Sequence, residues 1–348
     1  MHNEGRGDVP AFVVYGPPIF TQTTMNLRQQ LDDNAHWDAE YGHNLASHLP
    51  MALTALARLG ADDDRRAAFA SNYATRLHAA PPHEPWPAGE AWQGRFGEPQ
   101  GWPAYRSLFN DWLDHEGAPV VLAQALPALL RGTGAAAFHG PIRAAYAVVA
   151  GHSHELADAL AYWACRWFTL GQAPRGGREH DPASVLARVK IARPRRALIA
   201  ERMALAAADP AFACVAAGLH IDRDATLARL ATLAARLYAQ TRNFTVLHLV
   251  TSADALRVLL PWLDEDDVVA ALGHYWLAYV AGHVASGLVQ GARAVPPCAM
   301  LPWATIVSQA VASDDDHLIK LVDACREQER AYGGEVWCEA ASRALAPA

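Results

Sequence analysis

Apolar positions recur every three or four residues along most of the chain. That is the period of an amphipathic helix, and no sustained strand-like alternation competes with it. Leu49, Leu53, Leu56 and Leu59 mark a helix over Ser47–Leu59 that Gly60 stops, and Asp62–His78 follows with an acidic first turn. A short helix is expected within Leu27–Tyr41, and others over Ala104–His115 and Val120–Leu130. Ala135–Ala164 reads as two helices. Pro141 suits the first position of one and leaves His139 just outside it; Gly151 ends it, Ser153 caps the next, and Glu155 complements that dipole. Further helices are expected over Pro182–Lys190, Arg195–Ala208, Asp222–Thr241, Asn243–Trp262, Val268–Ser286, Trp303–Ser313 and Asp316–Glu329. The last is capped by Asp314–Asp316 and closed at Gly333-Gly334, leaving a polar tail. The fold class this pattern predicts is all-α.

Two stretches interrupt the pattern. Residues 1–40 read as a partly irregular N-terminal arm, in which Gly16-Pro17-Pro18 forbids a helix. Residues 81–103 form a long loop rich in Trp and Pro, a length that is usually functional or disordered. Trp86, Trp92 and Trp102 argue against disorder, because each has a large apolar area to bury. A lid over a flat substrate is one reading of this loop and an ordinary packed loop is the other. No polar linker divides the chain, so residues 1–348 are expected to form a single compact domain.

With 348 residues, 52% of them hydrophobic, the chain can bury a large core. A formal charge of -7 without a long basic run argues against nucleic acid and anionic membranes as partners. No run of about 20 purely apolar residues occurs, so no membrane span is expected, and the N-terminus lacks the pattern of a signal peptide. Five cysteines without a CxxC pair read as free thiols in a reducing compartment, which makes the cytoplasm the expected location.

Of 29 basic residues only Lys190 and Lys320 are lysines. Lys190 lies in a basic, surface-like run. His317 and Lys320 stand three apart, so they share a helix face that Leu321 and Ala324 continue, which turns Lys320 inward. A buried amine tends to lose its proton, and a neutral amine can take up carbon dioxide as an anionic carbamate, a carboxylate-like metal ligand. The plainer reading is a lysine that reaches water along its stem. His48-Leu49-Pro50 parallels His139-Gly140-Pro141, which places two imidazoles at two helix entrances; with Arg143 one turn on, His139 is either a group facing a cavity or, on the plainer reading, an ordinary satisfied histidine. His248 shares its face with Thr251, Ser252 and Ala255, small residues that leave room for a ligand or for a close helix contact. No dinucleotide or phosphate-binding glycine motif is present.

The segments FHGPIRAAYAVVAGHSHELADALAYWA, NFTVLHLVTSADALRVLLPWL, DDHLIKLVDAC and SHLPMALTALARLGA together resemble the questin oxidase-like family, over roughly His43 to Cys325. Fungal members oxidise anthraquinone-type polyketides by Baeyer–Villiger or ring-cleaving chemistry. At least one relative is understood as a mononuclear non-haem iron enzyme whose metal is held by four histidines and a carboxylated lysine. Carried onto the matching positions, the resemblance implies metal ligation by His48, His139, His248, His317 and Lys320, with His139 and Lys320 at the reacting centre. His274 or His283 is the alternative to His317. The implied cofactor is Fe(II) or another first-row divalent metal, with a carbon dioxide-derived carbamate on Lys320. The implied partners are an aromatic small molecule and dioxygen. Three other functions compete: a cofactor-independent or NADPH-assisted Baeyer–Villiger monooxygenase, a binuclear metal hydrolase, and a non-catalytic helical protein whose histidines are structural.

Overall fold

The computed structural model describes residues 25–290, 295–296 and 298–346. The rest of the expected N-terminal arm lies outside the described residues. The fold is all-α, with fifteen helices among the described residues and one two-residue ladder, Glu40–Tyr41 against Leu45–Ala46. The N-terminal half holds α1 (Met25–Asn34), α2 (Leu49–Leu59), α3 (Asp63–Ala74), α4 (Trp102–Leu129), α5 (His139–Ala150) and α6 (Ser153–Cys165). After them come α7 (Pro182–Leu186), α8 (Ile199–Ala207), α9 (Phe212–Ala216), α10 (Thr226–Thr241) and α11 (Phe244–Leu259). The chain closes with α12 (Glu265–Ser286), α13 (Trp303–Ala312), α14 (Asp316–Tyr332) and α15 (Val336–Leu345).

Local chemistry sets most boundaries. Asp62, Asn243 and Asp264 cap α3, α11 and α12 through their side chains, while Gly60, Gly151 and Gly287 end α2, α5 and α12 in left-handed geometry. Gly117, at φ 78° and ψ 159°, breaks α4 into the two segments that the periodicity predicts. Several expectations are corrected. His152, not Ser153, caps α6, its imidazole accepting the Glu155 N–H. Glu155 is buried and ion-paired with Arg143 at 2.6 Å rather than merely complementing a dipole. The expected polar tail is α15, which buries Trp337, Ala340 and Ala341 against α10 and α14.

α11 is the central helix. It packs against α5, α10, α12 and α14, and α14 in turn packs against α2 and α15. The segments Phe244–Trp262 and Glu265–Ser286 are long and apolar enough to cross a membrane, but 83% and 78% of their apolar windows are buried inside the fold. The Trp-rich loop of residues 81–103 is pinned to α4 and α6. Trp86 packs on Tyr105, Phe96 stacks on Trp167, and the Gly97 N–H bonds the Ala164 carbonyl.

Candidate metal centre

Four helix starts converge on one point. His48 is the residue before α2; its side chain caps nothing and turns inward, while its backbone N–H donates to the Tyr73 hydroxyl at 2.9 Å. His139 is the first residue of α5, not a residue outside it as the sequence suggests. Ala136, Ala137 and Phe138 precede it at φ 47°, 57° and 72°. Three successive non-glycine residues in the left-handed region cost roughly 1–2 kcal/mol each, and such strain gathers at functional sites. Here the fully buried Phe138 ring anchors the turn against Tyr275. His248 lies one turn into α11, and Asp316, His317 and Lys320 occupy the first turns of α14.

The four imidazoles form a closed ring. Ring centroids are 4.6 Å apart for His48–His139, 5.1 Å for His139–His248, 5.5 Å for His248–His317 and 4.7 Å for His317–His48. One ligand atom each from His48, His139 and His317 all lie within 4.8 Å of one another. His48, His139, His248 and Lys320 are buried, and His317 keeps 23% of its side chain exposed.

Every Nδ1 faces an oxygen acceptor. A single carboxylate oxygen of Asp316 takes those of His48 at 2.7 Å and His317 at 2.8 Å. The Ala136 carbonyl takes that of His139, and the Phe244 carbonyl takes that of His248 at 2.9 Å. An acceptor on Nδ1 fixes the proton there and leaves the Nε2 lone pair free. The Nε2 atoms of His48 and His139 nonetheless approach to 2.8 Å. Burial, with Lys320 adding to it, lowers His48 to about 3, and burial beside His48 and His248 holds His139 well below the ordinary range. Both rings are therefore neutral, and two lone pairs point at each other, an arrangement that repels unless a cation lies against both. On that ground the residues fit a metal ion. His248 is also held well below its usual range by burial, so it too offers a neutral nitrogen.

Burial lowers Lys320 to about 8, and its amine lies 3.9 Å from Asp316. Burial alone would raise Asp316, but His48, His317 and Lys320 hold it well below the carboxylate range. Sequence reasoning missed Asp316, treating the whole Asp314–Asp316 run as a cap. Asp315 is the cap, and the i, i+4 pairing of Asp316 with Lys320 was the available signal. Phe244 was missed as well; its ring packs on His248 at 5.1 Å and on His317 at 4.7 Å.

All five sequence-predicted residues, His48, His139, His248, His317 and Lys320, come together. His274 and His283 make no hydrogen bond, ion pair or ring contact with the four rings among the described residues, and the Nδ1 of each is buried without a partner. Arg143 makes no hydrogen bond, ion pair or ring contact with the four rings among the described residues; its guanidinium is taken up by Glu155 and Asp158 of α6. Ser252, on the small-residue face of α11, bonds the Tyr275 hydroxyl at 3.1 Å and so serves helix packing. The family description "Questin oxidase-like" matches residues 43–325. No curated protein matches the chain.

Proposed function

Because the chain belongs to the questin oxidase-like family, we propose that it is a non-haem iron-dependent oxygenase acting with dioxygen on an aromatic, polyketide-like substrate of the quinone type. Family membership makes it an oxidoreductase; the metal, its ligands and the substrate are the finer reading. The observation that carries this reading is the 2.8 Å approach of the His48 and His139 Nε2 atoms while the Nδ1 of each ring faces an oxygen acceptor. The Nε2 atoms of His48, His139, His248 and His317 would hold the ion, a donor set that suits a borderline first-row divalent metal. Iron held there supplies the one-electron steps by which dioxygen reacts with a closed-shell organic molecule.

The chain's own residues hold the rings. Asp316 orients two imidazoles, and the Ala136 and Phe244 carbonyls orient the other two. Burial of three of the four rings keeps bulk water from that side of the centre. Lys320 supplies either an ammonium that balances Asp316 or, once the deprotonated amine adds to carbon dioxide and releases a further proton to solvent, a carbamate. A carbamate so near Asp316 sets two anions side by side, which is tolerable only with a cation between them. The modification and the metal therefore support each other.

The test is metal analysis and oxygen uptake with a hydroxylated anthraquinone, on protein purified without chelator. Bound iron and uptake that depends on it are expected. Lys320→Ala should lose both. If Lys320→Ala retains full activity, the cofactor-independent Baeyer–Villiger reading replaces this one, and two metals per chain would favour the hydrolase.

A further inference from the structure

Phe244 is exposed to 54% although its ring lies against two of the four imidazoles. Phe69, Phe109, Phe138 and Phe212 are fully buried. Among the described residues the other large exposed apolar side chains, Leu45, Leu205, Val269 and Met300, are not aromatic. An aromatic ring left in water is informative when it borders a polar site. The side of the cluster it borders is the open one, because His317, the ring it touches at 4.7 Å, is more exposed than His48, His139 or His248.

The backbone under this ring is fixed on both sides. Asn243 accepts the N–H groups of Thr245 and Val246, and its amide donates to the Ser286 carbonyl, tying the start of α11 to the end of α12. The Phe244 carbonyl accepts the Nδ1–H of His248. The ring thus sits on a rigid mount that also orients an imidazole, and one of its faces is open to a ligand.

We infer that Phe244 is a substrate-positioning residue: its exposed face stacks against a planar conjugated ring and delivers the edge of that ring to the histidine cluster. Charge at the mouth narrows the ligand further. Asp315 lies 4.0 Å from His317 with 62% of its side chain exposed, whereas the neighbouring Asp314 is ion-paired with Arg65 at 2.8 Å. The exposed Asp315 carboxylate beside His317 favours a neutral planar substrate over one bearing sulfonate or carboxylate groups. This inference rests on the oxygenase reading for its choice of substrate class, but the binding step it describes is separable from the chemistry.

The experiment is equilibrium binding by fluorescence quenching, on metal-loaded and metal-free protein, with 2-hydroxyanthraquinone and anthraquinone-2-sulfonate as probes. Phe244→Ala should weaken the hydroxyanthraquinone about tenfold, the scale of one stacking contact. Phe244→Trp should restore the affinity, and metal content should stay unchanged in both variants, since the backbone carbonyl is retained. The sulfonate should bind more weakly than the neutral probe, and the difference should shrink in Asp315→Asn. Equal affinity of Phe244→Ala and the unsubstituted protein overturns the inference, as does a neutral probe that binds neither form. Binding that depends on Phe244 without oxygen uptake would leave the inference standing and remove the oxygenase reading.

Discussion

Asp316 does more at the residue scale than its place in an acidic run suggests. One of its oxygens fixes the tautomers of His48 and His317, and it is the anion nearest Lys320. Residues that orient a ligand from behind typically change metal affinity 10- to 100-fold when removed, that is by about 1.4–2.8 kcal/mol. Asp316→Ala is therefore expected to weaken iron binding by about that factor, measured by competition with a chelator of known affinity. Unchanged affinity would mean that the two rings need no partner to hold their place. The place of His48 and His139 at two helix entrances was legible because each stands two residues before a proline, but their grouping with His248, His317 and Lys320 came from the family resemblance. Asp316 was not, because an aspartate at a helix start has a sufficient local explanation, and only the tertiary fold distinguishes it from its capping neighbour Asp315.

At the scale of the elements, the centre depends on how closely α5 meets α6. A Cβ on Gly140 would lie 2.7 Å from the Trp163 ring, whose indole N–H is held by the Gly132 carbonyl. Gly140→Ala should force that contact apart at about 1–3 kcal/mol and shift the adjoining His139. The expected outcome is a lower melting temperature together with weaker metal binding. A variant that melts and binds as before would contradict the packing described. Periodicity and end signals made most helices legible, including the two segments of α4 on either side of Gly117. The start of α5 was not, because nothing in Ala136-Ala137-Phe138 announces left-handed backbone; burial of the Phe138 ring imposes it. α15 was missed because its charged residues suggested a tail, although Trp337, Ala340 and Ala341 carry helical spacing.

For the whole molecule, the neutral imidazoles link stability to pH. In metal-free protein His48 is lowered from 6.5 to about 3, and His139 and His248 are held well below 6.5, all chiefly by burial. A histidine depressed in the folded state stabilises fully above its unfolded value, and that contribution is lost as pH falls from 6.5 toward the folded value. Asp323 acts in the opposite sense: burial, opposed by Arg58 and reinforced by Asp254, raises it to about 7, so its contribution is lost as pH rises from 3.8 toward 7. With His274 and His283, both lowered by burial to about 4, the depressed histidines outnumber the raised buried carboxyls Asp323 and Glu155, at about 1.4 kcal/mol per pH unit for each group. The urea midpoint of metal-free protein should therefore fall between pH 7 and 5, and less steeply in His48→Gln; a midpoint that rises on acidification would refute the neutral assignment. The same four helices, α2, α5, α11 and α14, bring all of these groups together, and the central claim is that their shared point holds a metal. X-ray absorption at the iron edge of protein loaded with one equivalent of Fe(II) tests it most directly. The expected spectrum is a nitrogen/oxygen shell near about 2.0–2.2 Å with imidazole multiple scattering, lost in His139→Ala. A spectrum of hydrated iron, identical in both proteins, would contradict it.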